Sequence, residues 1–369
     1  MKNKKIIISI IIFLVVIIIA FLFFHKECSK AEMTIGVISD QTGVVAEYGK
    51  WVQNGITIAL ETIRETDPSF KLHIEDGRSD VKVALVAFER MLSIDKTRLI
   101  ICGSNSSSVM ALSSRANSTR TLLFSTIASS PNMTQTGDFV FSNRVLGTME
   151  VESLVKKLNQ LDINTIAIVA HNNEAGMPYI DAFNNANKGG TVTVVSEILV
   201  EPNSNDFRTE LIKLKALHPD AVFLVTPVNQ TLNFIKQAKN IDFSTKWLGI
   251  STLKTDVLTL NGGSLVEKMI IASESVDENS SMFSDFQRKY QKRFNETPTI
   301  YSVNGYDATM ILYTLMKKYG NDVMAIQQAL YSEQFETLTG TISFDTNGII
   351  QNKRVDLFEI KDGLFVKMK

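Results

Sequence analysis

Two hydroxyl-rich clusters carry the clearest chemistry in this 369-residue chain. The first, Gly103-Ser104-Asn105-Ser106-Ser107-Ser108, follows the apolar run Arg98–Cys102 and opens a stretch with helical spacing. The second, Ser125-Thr126-Ile127-Ala128-Ser129-Ser130-Pro131, follows the strand-like Thr121–Ser125. Hydroxyls and unpaired backbone N–H groups at the start of a helix suit an anionic oxygen, because the helix dipole places partial positive charge there. Each cluster also has an ordinary structural use, since serine is a good helix N-cap and polar turns commonly precede proline. Three consecutive serines exceed what one cap requires.

Other chemistries find less support. Two cysteines, Cys28 and Cys102, can build neither a disulfide framework nor a multi-cysteine zinc site, and His25, His73, His171 and His218 show no metal-ligand spacing. The chain has no G-x-S-x-G elbow, no H-E-x-x-H, no phosphate loop and no dinucleotide fingerprint. Binding without catalysis is therefore expected, with no metal and no cofactor. Lys+Arg 38 against Asp+Glu 39 leaves a net charge of -1, without the basic excess of a nucleic-acid surface. Cys102 ends an apolar strand and reads as a buried free thiol. His171 ends another strand, where a ligand could reach it.

The elements that must position these residues begin after an unusual N-terminus. Lys2, Lys4 and Lys5 precede an apolar run from Ile6 to Phe24, broken only by Ser9. Such a run enters a membrane with its N-terminus inside, which places the remainder outside the cytoplasm. Residues 1–31 form a signal peptide or a membrane anchor. Ser29-Lys30-Ala31 resembles a cleavage site, while the length of the run favours a retained span across residues 6–24. Lys26 and Glu27 disfavour lipid attachment at Cys28. Beyond residue 31 the chain carries 33 basic and 38 acidic side chains, about -5, and no second run of membrane-spanning length.

From Met33 onward, short β-rich runs alternate with amphipathic stretches. Strands are expected at Thr34–Ser39, Lys71–Glu75, Arg98–Cys102 and Thr121–Ser125, with helices at Tyr48–Glu65, Asp80–Ile94 and Ser107–Asn117. The alternation restarts after a helix at Glu150–Leu161, with strands at Thr165–Ala170, Val192–Ile198, Ala221–Thr226 and Trp247–Gly249. This is the pattern of an α/β fold with two doubly wound parallel-sheet lobes. The last third departs from it, giving helices at Met282–Phe294, Tyr301–Tyr319 and Val323–Ser332 before strand-like Thr341–Phe344, Val355–Ile360 and Leu364–Val366. The chain is thus expected to return to the first lobe and cross back to the second through a multi-strand hinge.

At this point the sequence resembles a known family. IGVISDQTGVVAEYGKWVQNGITIALETI (Ile35–Ile63), SNDFRTELIKLKALHPDAVFLV (Ser204–Val225), the Tyr306-Asp307-Ala308 helix after Pro298, and LTGTISFDTNG (Leu338–Gly348) are collinear with the motifs of type I periplasmic solute-binding proteins of the leucine/isoleucine/valine-binding kind. The resemblance implies the type I periplasmic binding protein fold. Lobe 1 would comprise 33–147 plus 274–340 and lobe 2 148–273 plus 341–369, with crossovers near Gly147, Ser273 and Gly340. It also implies a ligand carboxylate held by Ser106, the backbone near Ile127 and the Ser129 hydroxyl, beside Tyr48. Where amino-acid-binding relatives carry an acid for the ligand ammonium, this chain has Ser251, and Ala175 and Pro227 stand where relatives have aromatic residues. Either the ligand lacks that amine, or another acid such as Glu174 supplies the charge; Asp307 matches scaffold. The implied function is the extracytoplasmic receptor of an ABC importer, on the periplasmic or extracellular face of the cytoplasmic membrane. It would be a monomer that closes on a small polar ligand, an amino acid, carboxylate or amide, and engages an inner-membrane permease. A membrane-tethered sensor of the same fold is the alternative.

Overall fold

The computed structural model describes residues 34–369. The apolar run at 6–24, the cleavage-like site and Cys28 lie outside the described residues. Among those described, no helix is long and apolar enough to cross a membrane.

The first lobe is a parallel sheet in the order β2-β1-β3-β4-β5, formed by β1 (Thr34–Ser39), β2 (Lys71–Asp76), β3 (Leu99–Gly103), β4 (Leu122–Ser125) and β5 (Val140–Ser142). Every residue of β3 and β4 is buried, because helices cover both faces of a parallel sheet. Three helices make the connections: α1 (Ala46–Arg64), α2 (Val81–Ser93) and α3 (Ser106–Thr119). Asp80 caps α2 by accepting from the N–H groups of Lys82 and Val83, and Asn105 caps α3 by accepting from Ser108 N–H.

The second lobe contains β6 (Thr165–His171), β7 (Thr193–Val200), β8 (Ala221–Val225), β9 (Lys246–Ile250) and β10 (Ile270–Glu274). Around these strands pack α4 (Gly147–Leu158), α5 (Met177–Ala186), α6 (Arg208–Leu217), α7 (Val228–Asn240) and the short α8 (Asp256–Gly262). The chain then returns to the first lobe as α9 (Ser281–Phe294), α10 (Ile300–Tyr319) and α11 (Val323–Ser332). A small antiparallel group follows, made of β11 (Phe335–Thr337), β12 (Gly340–Phe344) and β13 (Ile350–Gln351). Finally β14 (Val355–Lys361) adds antiparallel to β10 and β15 (Leu364–Lys367) antiparallel to β14, completing the seven-stranded order β15-β14-β10-β9-β8-β6-β7.

One expected boundary is corrected. The third crossover does not fall at Gly340, because the segment from β12 to β13 stays on the first lobe. Phe344 stacks edge-on against Phe124 and Phe141, and Ser142 N–H donates to the Gly348 carbonyl at 2.8 Å. The chain reaches the second sheet only after β13, through residues 352–354. Five elements, β5, β10, β11, β13 and α8, are also absent from the sequence expectation.

Each of the three crossovers brings one charged side chain to the same buried place. Arg144 follows β5, Glu274 ends β10, and Lys353 precedes β14, all at most 6% exposed. Arg144 pairs with Glu274 and with Glu150 in the first turn of α4. The Lys353 ammonium donates to Glu274 Oε2 at 2.9 Å, to Asn304 Oδ1 at 2.7 Å and to the Asn143 carbonyl at 2.6 Å. Two cations and two anions therefore balance inside the hinge, as buried charges must. Asp307, on α10, accepts from Leu338 N–H at 3.0 Å. Burial pushes its carboxyl well up from the usual carboxylate range.

Candidate functional site

Between the lobes lies a cavity of about 90 Å³. Its first-lobe wall includes Tyr48 on α1, Asn105 and Ser106 at the start of α3, Ile127 and Ser129 after β4, and Tyr301 on α10. The second lobe adds His171 at the end of β6, Asn173 and Ala175 after it, Thr226 and Pro227 after β8, and Ile250 and Thr252 at the end of β9. All these positions follow the carboxyl ends of parallel strands or begin the helices that cover them, the general location of sites in open α/β folds.

The hydroxyl clusters meet here. Ser106 is the first residue of α3, and its Oγ accepts from Ser130 N–H at 3.2 Å, joining the two loops. Asn105, not a serine, provides the cap of α3, so Ser106 keeps its own proton for another partner. Ser129 Oγ lies 2.9 Å from the Tyr179 hydroxyl of α5, a contact from one lobe to the other. Tyr48 spans the lobes as well: its hydroxyl donates to the Thr252 carbonyl at 3.1 Å and accepts from Val228 N–H at 2.9 Å. Burial pushes the Tyr48 phenol well above its ordinary range, so it remains a neutral donor. Tyr48→Phe removes both interlobe bonds and leaves buried groups unpaired. The expected loss is about 1–3 kcal/mol of closed-state stability, seen as faster ligand release in stopped-flow measurements; an unchanged release rate would remove Tyr48 from the closure contacts.

Ser106, Ser129, Ile127 and Tyr48 thus come together around one cavity. Ser251 does not join them. It is fully buried, and its hydroxyl is held between the Arg144 guanidinium and the Glu150 carboxylate, while its neighbours Ile250 and Thr252 face the cavity. The expectation of Ser251 as a direct contact is corrected on that ground. Glu174 is not a substitute acid either: it is exposed, accepts from Asn132 at 3.2 Å and lies outside the lining. Ala175 and Pro227, standing in place of aromatic residues, do line the cavity, and so does His171. Among the described residues no aspartate or glutamate lines it. Sequence reasoning missed Tyr301 in the wall and Tyr179 behind Ser129.

A family model described as periplasmic binding protein matches residues 32–363. The chain belongs to that family. A curated relative, Leu/Ile/Val-binding protein homolog 3 of Brucella melitensis biotype 1, is 23% identical over 350 residues, covering 92% of this chain and 94% of the relative. Among solved structures, the leucine binding protein LivK of Thermotoga maritima superposes with a TM-score of 0.82 at 21% identity, covering 91% of this chain and 98% of LivK. A solute binding protein of an ABC transporter from Rhodopseudomonas palustris, solved with 3,4-dihydroxy benzoic acid, gives a TM-score of 0.81 at 22% identity over 91% of this chain and 96% of that one. Membership makes this periplasmic binding protein a solute receptor rather than an enzyme.

In this binding protein the hinge charges and the cavity form one continuous structure. The Arg144 guanidinium lies 5.5 Å from the centre of the Tyr301 ring, which Tyr48 meets edge-on at 5.0 Å and on which Trp51 stacks. Glu150 receives hydrogen bonds from Ser251 on one oxygen and from the Tyr179 hydroxyl, at 3.2 Å, on the other. The cavity floor is thereby fastened to the crossovers. Cys102 sits apart from these contacts as a buried free thiol, which burial pushes up to about 12.

Proposed function

We propose that this protein is the extracytoplasmic receptor of an ABC importer and that its ligand is a small polar molecule without an α-ammonium group. The observation that carries this reading is the missing acid. A buried ammonium needs a paired carboxylate or several acceptors, yet Ser251 is turned into the hinge and no carboxylate lines the cavity. Ser106, with a free proton at the start of α3, suits a carbonyl or carboxylate oxygen instead. Similarity to a receptor solved with 3,4-dihydroxy benzoic acid, an acid without an amine, is compatible with that choice. Closure is a ligand-biased shift between open and closed lobes, and the closed form is what a membrane permease would engage. The location that goes with this role is the outer face of the cytoplasmic membrane.

The test is a thermal-shift panel on the purified full chain in mild detergent, because a ligand that binds only the folded state raises the melting temperature. Amine-free acids and amides are expected to raise it, and the corresponding α-amino acids to leave it unchanged. A rise with branched α-amino acids alone would overturn the reading.

A further inference from the structure

The protons of the cavity's buried hydroxyls can be followed from one fixed end. Glu150 is a carboxylate paired to Arg144 and can only accept. One of its oxygens takes Ser251 N–H and Oγ–H; the other has the Tyr179 hydroxyl at 3.2 Å. Tyr179 has a single proton. If it pointed at Ser129, the second oxygen of a fully buried carboxylate would lose this donor, and hydrogen bonds to charged acceptors are the stronger ones. Tyr179 therefore donates to Glu150, and its oxygen accepts from Ser129 Oγ–H at 2.9 Å. Ser129 has then spent its proton behind the cavity wall. The oxygen it shows to the cavity offers only lone pairs.

His171 gives the same sign independently. Gln230 Nε2 donates to the carbonyls of Glu201 and Ser204, both at 3.0 Å, which turns its Oε1 towards His171 Nε2. The hydrogen of the imidazole is accordingly on Nε2, leaving Nδ1 as an acceptor. Burial pushes the imidazole below its ordinary range and keeps it neutral.

Resting on the reading of an amine-free ligand, we infer that Tyr179 is a specificity-determining residue: through Glu150 it holds Ser129 as an acceptor, and the cavity selects a neutral amide over the isosteric carboxylate. The amide oxygen would accept from Ser106, which retains its proton, and the amide N–H would donate to Ser129. A carboxylate in that pose would set a negative oxygen against the Ser129 lone pairs. Tyr179 touches no ligand; it acts by positioning the Ser129 proton.

The experiment uses the full chain and two isosteric pairs, isobutyramide with isobutyrate and benzamide with benzoate, measured by isothermal titration. The wild type is expected to bind an amide roughly tenfold or more tightly than its acid, the effect of one lost hydrogen bond with a buried partner left unpaired. Tyr179→Phe frees the Ser129 hydroxyl to donate, so the amide-to-acid ratio should fall by roughly tenfold. General damage from the substitution weakens both members of a pair alike and leaves their ratio in place. Ser129→Ala should lower the same ratio by weakening the amide. A wild-type preference for the acid, or a ratio unmoved in Tyr179→Phe and Ser129→Ala, would overturn the inference while leaving an amine-free receptor standing. Binding of the branched α-amino acids with neither pair bound would overturn both.

Discussion

Replacing Lys353 by methionine is expected to destabilise the folded chain by about 3–5 kcal/mol, the usual cost of removing one partner from a buried ion pair. The side chain of Lys353 is 1% exposed and donates to Glu274, Asn304 and the Asn143 carbonyl. Burial pushes its ammonium downward from the ordinary lysine range, the Arg144 charge adds to that, and the nearby Asp307 carboxyl opposes it. Without Lys353, Arg144 alone faces Glu274 and Glu150, and the hinge carries a net negative charge in a site closed to water. Glu274→Gln alone is expected to destabilise too, leaving Arg144 and Lys353 unbalanced. The double variant should lose less than the sum of the two, because it removes one charge of each sign. Chemical denaturation of the four proteins measures this cycle directly. Strict additivity would mean that the crossovers carry their charges independently.

A second large effect is expected where α1 crosses α10. The backbones approach so closely that a Cβ added at Gly55 would lie 1.8 Å from the Ser302 carbonyl oxygen, and one at Gly305 would lie 2.5 Å from the Val52 carbonyl oxygen. The obstacle in both cases is main chain, which no side-chain rotation relieves. Gly55→Ala should therefore cost about 3 kcal/mol or more, at the upper end of overpacking effects, although alanine is the better helix former at an ordinary helical position. The crossing also supports the site, since Tyr48 lies on α1 and Tyr301 on α10. Loss of melting temperature together with weaker ligand binding is the expected signature. A variant as stable as the wild type would contradict the packing described here.

Much of this architecture is legible in the sequence because its period is strong. The strands Thr34–Ser39 and Val323–Ser332 helix coincide with expectation, and most other elements fall within a few residues of it. What escaped is short or depends on distance along the chain. The three-residue β5 and the seven-residue α8 are too brief to show a period. β12 reads as a sheet strand by composition, and its aromatic contact with Phe124 and Phe141, together with the Ser142–Gly348 hydrogen bond that follows it, assigns it to the first lobe.

The same division holds at the cavity. Ser106 and Ser129 stand out because each lies in a hydroxyl cluster after an apolar strand. Tyr179 gives no comparable signal, since its partners Ser129 and Glu150 are 50 and 29 residues away. Ser251 marks the limit of positional correspondence. The chain turns into a 3-10 turn at Ser251–Leu253, and this sends the serine hydroxyl towards Arg144 while Thr252 takes the cavity face. The substitution at that position was visible in the sequence; the arginine and glutamate that occupy its hydroxyl were not.

The receptor proposed above receives no ammonium in its cavity. Isothermal titration of the full chain with leucine and with 4-methylpentanoate, which is leucine without its amine, and with the matched valine and isovalerate pair, tests it most directly. Saturable one-to-one binding is expected of the amine-free acids, weaker than that of their amides, and none of the amino acids. Tighter binding of leucine or valine would contradict it, because an acid holding their ammonium would then have to reach a cavity in which none is seen.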